Sequence, residues 1–349
     1  MANLAILTSG GDSPGMNAAI STVARCAAQR GLGLIGLRHG FNGLTHWSDL
    51  SDEDYVLLGP ETGLDIADSP GTFLKTGQSP ALIFNGSLER AVERLRGLDV
   101  SGLVVIGGEG SLAKACRLAD AGVPCVGIPG TIANDLAYTE ATLGYDTAVN
   151  VCADVVSAIR ATSRSHDRPH VVEVMGWQSG DIALLTAAST GSEIVLVPEV
   201  TWSVDEVADR LSAHLARGNT RATVVVAEGC WDSMRPFDVY AFLKPYGKHV
   251  YEGEPMTANR LASVLKRKCG GAEVRSTVVG YTQRGWSPTA RDFSFAFEAG
   301  YMAVELLSNG EKNEVIGLSN GRTFHMPIDK ALSTHRSFNY TLYDMINRM

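Results

Sequence analysis

The 349-residue sequence has no apolar run approaching the about 18 residues that a membrane span requires, so a helical membrane protein is excluded. Its opening stretch, MANLAILTSGG, lacks a basic segment followed by an apolar one and a small-residue cleavage site, and no leader is expected. Long basic tracts are missing too. The longest is Lys266-Arg267-Lys268, which with a net charge of −8 argues against nucleic acid as a partner. The six cysteines, Cys26, Cys116, Cys125, Cys152, Cys230 and Cys269, form no CxxC pair. They lie far apart in a chain too large to need disulfide staples, and a reduced, cytoplasmic protein is the expectation. No glycine-rich turn is followed by Gly-Lys-Ser or Gly-Lys-Thr, which rules out a Walker A loop. Internal repeats and low-complexity linkers are also absent.

What the sequence does contain is alternation. Short apolar runs at 4–9, 32–37, 102–108 and 125–130 predict strands that end in glycine-containing turns, with helical periodicity at 16–30, 86–97 and 111–121. After a long helical stretch at 147–161 the pattern resumes. Strands are predicted at 170–176, 193–199 and 222–229, a helix at 204–218, a strand and loop at 274–288 and an apolar helix at 290–310. Near-continuous apolar strands separated by helices imply parallel sheets covered on both faces. At this length two lobes are expected, because single cores stop growing at about 250 to 300 residues.

In such sheets ligands bind outside the carboxyl ends of the strands, where glycine turns expose backbone N–H groups to anions. SGGDSPGMN (9–17) and GGEGS (107–111) are two loops of this kind, and each alone could be a plain turn. A third strand end, GIPGTIAND (127–135), adds the polar group Thr131, Asn134 and Asp135 around a methyl side chain, Ala133.

Those three loops, with TLGYDTA (142–148), SHDRPHVVEVMG (165–176), GDIAL (180–184), VPEV (197–200) and QRGWSPTARD (283–292), resemble the phosphofructokinase family in order and spacing. The resemblance implies an α/β fold of two lobes, each a mainly parallel sheet covered by helices, Rossmann-like. It places a nucleotide-binding lobe at 1–144 plus 283–333, a sugar-phosphate-binding lobe at 145–282, and a tail, 334–349, packing back on the latter. It further implies ATP-dependent phosphoryl transfer to fructose 6-phosphate with Mg2+, and a homo-oligomer, tetramer or dimer. Gly11, Gly107, Gly108, Glu109, Gly110 and Ser111 would hold ATP, and Glu109 and Asp135 the metal, with Glu109 where Asp is usual. Small residues at Gly110 and Gly130 favour ATP over pyrophosphate. Thr131, Arg168, Met175, Gly176, Trp177, Glu228, Arg275, Tyr281 and Arg284 would bind the sugar phosphate.

Several positions depart from the family. Ala133 stands where the resemblance places the carboxylate that accepts the proton of the attacking hydroxyl, and a methyl group cannot do so. Trp177 replaces an arginine that would stabilise the transferring phosphoryl group, Tyr281 a histidine and Trp286 a glycine, so that aromatic bulk refills the space. Losing one preorganised charge of this type costs about 2.7 to 4 kcal/mol of barrier. Three functions stay open: phosphofructokinase with Asp135 or water as base, a phosphotransferase for another sugar phosphate, and a silent sugar-phosphate- or nucleotide-binding homologue that regulates a partner. Arg25 and Arg160 match effector-site arginines of bacterial relatives, but Ser21 replaces a third. The stretch 240–260 reads as a surface loop. Pro169 between His166 and His170 argues against a zinc pair.

Overall fold

Runs rich in Leu, Val and Ile become strands here because both of their faces find helices to pack against. In the computed structural model, which describes residues 3–46, 48, 50, 51, 53–78, 86–243 and 255–349, the strands are β1 (Asn3–Ser9), β2 (Gly33–Leu37), β3 (Tyr55–Leu57), β4 (Val100–Gly107), β5 (Cys125–Pro129), β6 (His170–Val174), β7 (Ile194–Leu196), β8 (Thr223–Ala227), β9 (Arg275–Val278), β10 (Glu314–Ser319) and β11 (Arg322–Pro327). The chain divides into two compact units, 1–147 with 284–337 and 148–283 with 338–349. The tail expected to pack as one piece is therefore split at 337/338, so that 334–337 belong to the first unit.

The first unit is a seven-stranded sheet in the order β11-β10-β5-β4-β1-β2-β3. Its five inner strands are parallel and its two edge strands antiparallel. Side chains alternate across it. Leu4, Ile6, Val104, Ile106, Val126 and Ile128 pack on one face with the helices Met16–Gln29 and Ala290–Ser308. Ala5, Leu7, Leu103, Val105 and Cys125 pack on the other with Ser87–Gly97 and Glu109–Asp120. The second unit has a four-stranded parallel sheet, order β7-β8-β6-β9.

Some elements lie outside the sequence-based reading. The β10–β11 hairpin turns on Asn320 and Gly321, both left-handed at φ 50° and 71°, a two-residue turn whose Asn-Gly signal is visible in the sequence. The helices Asp181–Thr190, Ala258–Lys268 and Tyr340–Arg348 also lie outside it. Within 240–260, read above as a loop, Val239–Leu243 is helical and Ala258 begins a helix capped by Thr257, while 244–254 lie outside the described residues.

Candidate active site

Strand order decides where each site can form. In the first sheet β1 lies between β2 and β4, so the winding reverses there and opens a crevice at the carboxyl ends of β1 and β4. The register sets Ser9 beside Gly107 and Gly107 beside Pro129, so the loops after β1, β4 and β5 start side by side. The Gly130 amide donates to the Gly107 carbonyl at 3.1 Å, tying two of these loops together. Gly107 must be glycine, because a Cβ there would stand 2.5 Å from the Ser9 carbonyl oxygen. Glu109 occupies the first turn of the helix that follows, with Ser111 buried and open space around Gly110. A Cβ on Gly130 would meet Ile106 at 2.7 Å, so core packing alone already accounts for that glycine.

The loop after β5 is held from within. Thr131 Oγ1 accepts from the Ala133 amide at 3.2 Å, Asn134 Oδ1 accepts from the Thr142 amide at 3.0 Å, and the Thr142 hydroxyl donates to the Thr131 carbonyl at 2.5 Å. Ala133 is buried. Asp135 Oδ1 is also buried and has no hydrogen-bond partner. Burial pushes the Asp135 carboxyl above the usual range; its own amide and the Arg336 guanidinium oppose this, and the charge of Glu109 adds to it. Glu109, Asp135, Thr334, His335 and Arg336 line one cavity.

Among the described residues no group of three His, Cys, Asp or Glu side chains could hold a metal. Two carboxylates with an unsatisfied oxygen still suit magnesium, which keeps several waters and takes one or two carboxylates plus phosphate oxygens. Arg284 lies in this unit with its Nε 3.3 Å from Asp12 Oδ1, and its guanidinium occupies the space a Cβ on Gly11 would need.

The second sheet repeats the arrangement, with β6 between β8 and β9. Val174 pairs with Ala227 and Glu173 with Val278, so the loops after these three strands begin together. Glu228 Oε1 accepts from the amides of Gly176 (3.1 Å) and Trp177 (2.8 Å), and Gln283 Oε1 accepts from the Met175 amide at 2.9 Å. A Cβ on Gly229 would fall 2.2 Å from the Trp177 carbonyl, which locks the two loops against each other. Trp177 is left-handed at φ 53°, a conformation that costs an L-residue about 1 to 2 kcal/mol, and its indole is 66% exposed. Arg168 Nε pairs with Glu273 Oε2 at 2.7 Å, and Arg275 pairs with the other oxygen of the same carboxylate.

Of the expected sugar-phosphate residues, Arg168 and Arg275 are thus gathered by Glu273, and Met175, Gly176, Trp177 and Glu228 form one locked loop pair. Arg284 instead accompanies Gly11 and Asp12 in the first unit. Trp177, Tyr281 and Trp286, 66%, 74% and 55% exposed, do not refill space inside either unit. Arg160 is taken up by Glu193 and Thr223, and His170 bonds the Thr277 hydroxyl at 2.8 Å. Sequence reasoning missed Glu273, Gln283, His335 and Arg336. Only Gln283 lies in a quoted motif; the other three carry no local signal.

Comparison with known proteins gives consistent relatives. A family model described as phosphofructokinase matches residues 3–307. An ATP-dependent 6-phosphofructokinase of Clostridium botulinum is 38% identical over 345 residues, covering 99% of this chain and 98% of the relative. One from Clostridium acetobutylicum is 37% identical over 349 residues, covering 100% and 99%. The structure of phosphofructokinase from Saccharomyces cerevisiae superposes with a TM-score of 0.78 at 28% identity, covering 95% of this chain and 45% of the larger yeast chain.

Proposed function

The chain belongs to the phosphofructokinase family and is a phosphotransferase of the kinase type, and from that premise we propose that it transfers the terminal phosphoryl group of ATP to the 1-hydroxyl of fructose 6-phosphate, in the cytoplasm. The observation that carries this reading is the edge of the first sheet, where the glycine loops of three adjacent parallel strands accompany Glu109 and Asp135. Backbone N–H groups around Gly11, Gly107, Gly108 and Gly110, with Ser111 in the first turn of the following helix, face the phosphates of ATP. Glu109 and Asp135 hold magnesium, which when bound neutralises phosphate charge. In the second unit Arg168 and Arg275 suit the sugar phosphate, because a guanidinium donates two parallel hydrogen bonds to phosphate oxygens, and Met175, Gly176, Trp177, Glu228 and Tyr281 belong to the same unit. Thr131 and Arg284 offer their donors in the first unit. An assembly of several copies belongs to the same reading, and the exposed Trp177, Tyr281 and Trp286 support it.

The proton of the attacking hydroxyl needs an acceptor. Ala133 offers none, and with Asp135 holding magnesium a water in the site takes this role. A displaced acceptor slows the chemical step, since a well-placed base contributes about 100- to 10,000-fold. Ala133 and Trp177 together favour a second reading, in which sugar phosphate and nucleotide bind without turnover and the protein acts as a regulatory homologue.

One experiment separates the two. ATP consumption is followed with fructose 6-phosphate and magnesium for the wild type and Ala133→Asp, beside calorimetric titration of both ligands. We expect slow wild-type turnover and a gain of about 100-fold or more in Ala133→Asp. Binding with no turnover in either protein favours the regulatory reading, and failure to bind fructose 6-phosphate overturns the substrate assignment.

A further inference from the structure

The first unit ends in a turn after the short helix Ile328–Leu332, and this turn brings Thr334, His335 and Arg336 to the wall of the cavity that holds Glu109 and Asp135. A single ion pair would match one arginine with one acid. Here two carboxylates share the cavity with one guanidinium, and one oxygen of Asp135 stays buried without a partner. The cavity thus carries an excess of negative charge in a partly buried place, which is costly until a cation enters. Once a divalent cation has entered, the same groups sum to a positive charge that suits an anion.

We propose that Arg336 belongs to the phosphate-donor site: it holds the carboxylates of Glu109 and Asp135 while no cation is bound, and binds an oxygen of the anionic donor when one is. This rests on reading Glu109 and Asp135 as the metal-holding pair. The opposing influences of Arg336 and Glu109 on the Asp135 carboxyl agree with three charges acting on one another. Arg336 acts on the metal through the carboxylates, as a positioning residue, and on the donor directly, so its loss has two effects of opposite sign.

The test is calorimetric titration of the full chain with Mn2+ alone, and separately with ATP in the presence of a chelator. Arg336→Met is expected to bind Mn2+ about three- to tenfold more tightly, because the competing cation is gone, and metal-free ATP about tenfold more weakly. Arg336→Lys, which keeps the charge, is expected to stay near the wild type for Mn2+. An Arg336→Met protein with unchanged or weaker Mn2+ binding overturns the proposal, and Arg336→Gln is read in the same way if the Met variant folds poorly. Asp135→Asn tests the underlying assignment separately. If it binds Mn2+ as the wild type does, the metal-holding reading fails whatever Arg336 does.

Discussion

Asp135 in the first unit and Glu193 in the second are both largely removed from water, and their surroundings treat them in opposite ways. Glu193 receives Arg160 through Nη1 at 2.8 Å and Nη2 at 3.2 Å, the Asn219 amide at 2.9 Å and the Thr223 backbone N–H at 2.7 Å. Burial alone would raise its carboxyl, but the donors from Arg160, Thr223 and Asn219 bring it below the usual range. Asp135 keeps a buried oxygen unsatisfied, and its carboxyl is raised. A buried acid with every lone pair engaged is scaffold. One left partly unsatisfied beside a second acid and an arginine is costly to the fold and, on the reading proposed above, stands ready for a ligand.

Removing each acid should separate these roles. Glu193→Ala leaves the partly buried Arg160 with only the Thr223 hydroxyl and is expected to destabilise the fold by about 2 to 3 kcal/mol in chemical denaturation, while the folded fraction still binds fructose 6-phosphate. Asp135→Asn should behave in reverse. It is expected to lower turnover by about 100-fold, as loss of a preorganised charge does, with stability hardly changed. Equal stability losses in both variants would break the contrast.

Acidification offers a gentler version of the same test. The Glu193 carboxyl is depressed in the folded state, so its contribution is complete above the ordinary glutamate range and fades as pH falls through the depressed value. Denaturation curves of wild type and Glu193→Gln should differ at neutral pH and converge in acid. The Asp135 carboxyl is raised, so it takes up its proton at a higher pH than an ordinary aspartate, and as pH falls Mn2+ affinity should begin to weaken while still above the usual aspartate range. The smallest effect expected is at Trp177. Glycine relieves the left-handed backbone but adds freedom to the unfolded chain, so Trp177→Gly should gain only about 0.5 to 1 kcal/mol in the same denaturation assay.

Much of the fold was legible because its signals are local. Apolar runs bounded by glycine mark β1, β2, β4 and β5 wherever the chain is read, and Gly107 at the end of β4 is required by backbone sterics that any Cβ would violate. The Asn320-Gly321 turn is equally readable, but β11, the edge strand it leads into, lacks the continuous apolar pattern that marks the inner strands. The helix Ala258–Lys268 follows a stretch of Gly and Pro that masked its start.

The candidate site divides along the same line. The sequence by itself determined the three glycine loops, the carboxylates Glu109 and Asp135, and the methyl group at Ala133 where the family resemblance places a proton acceptor, since each lies within a contiguous motif. Tertiary structure alone decided that Arg168 and Arg275 share Glu273, that Arg284 accompanies Asp12, and that Arg336 shares a cavity with Asp135. Those meetings join residues from different elements, and in most cases from distant parts of the chain. Charges on such residues are brought together by the packing of whole elements, for which no short stretch of sequence carries a signal.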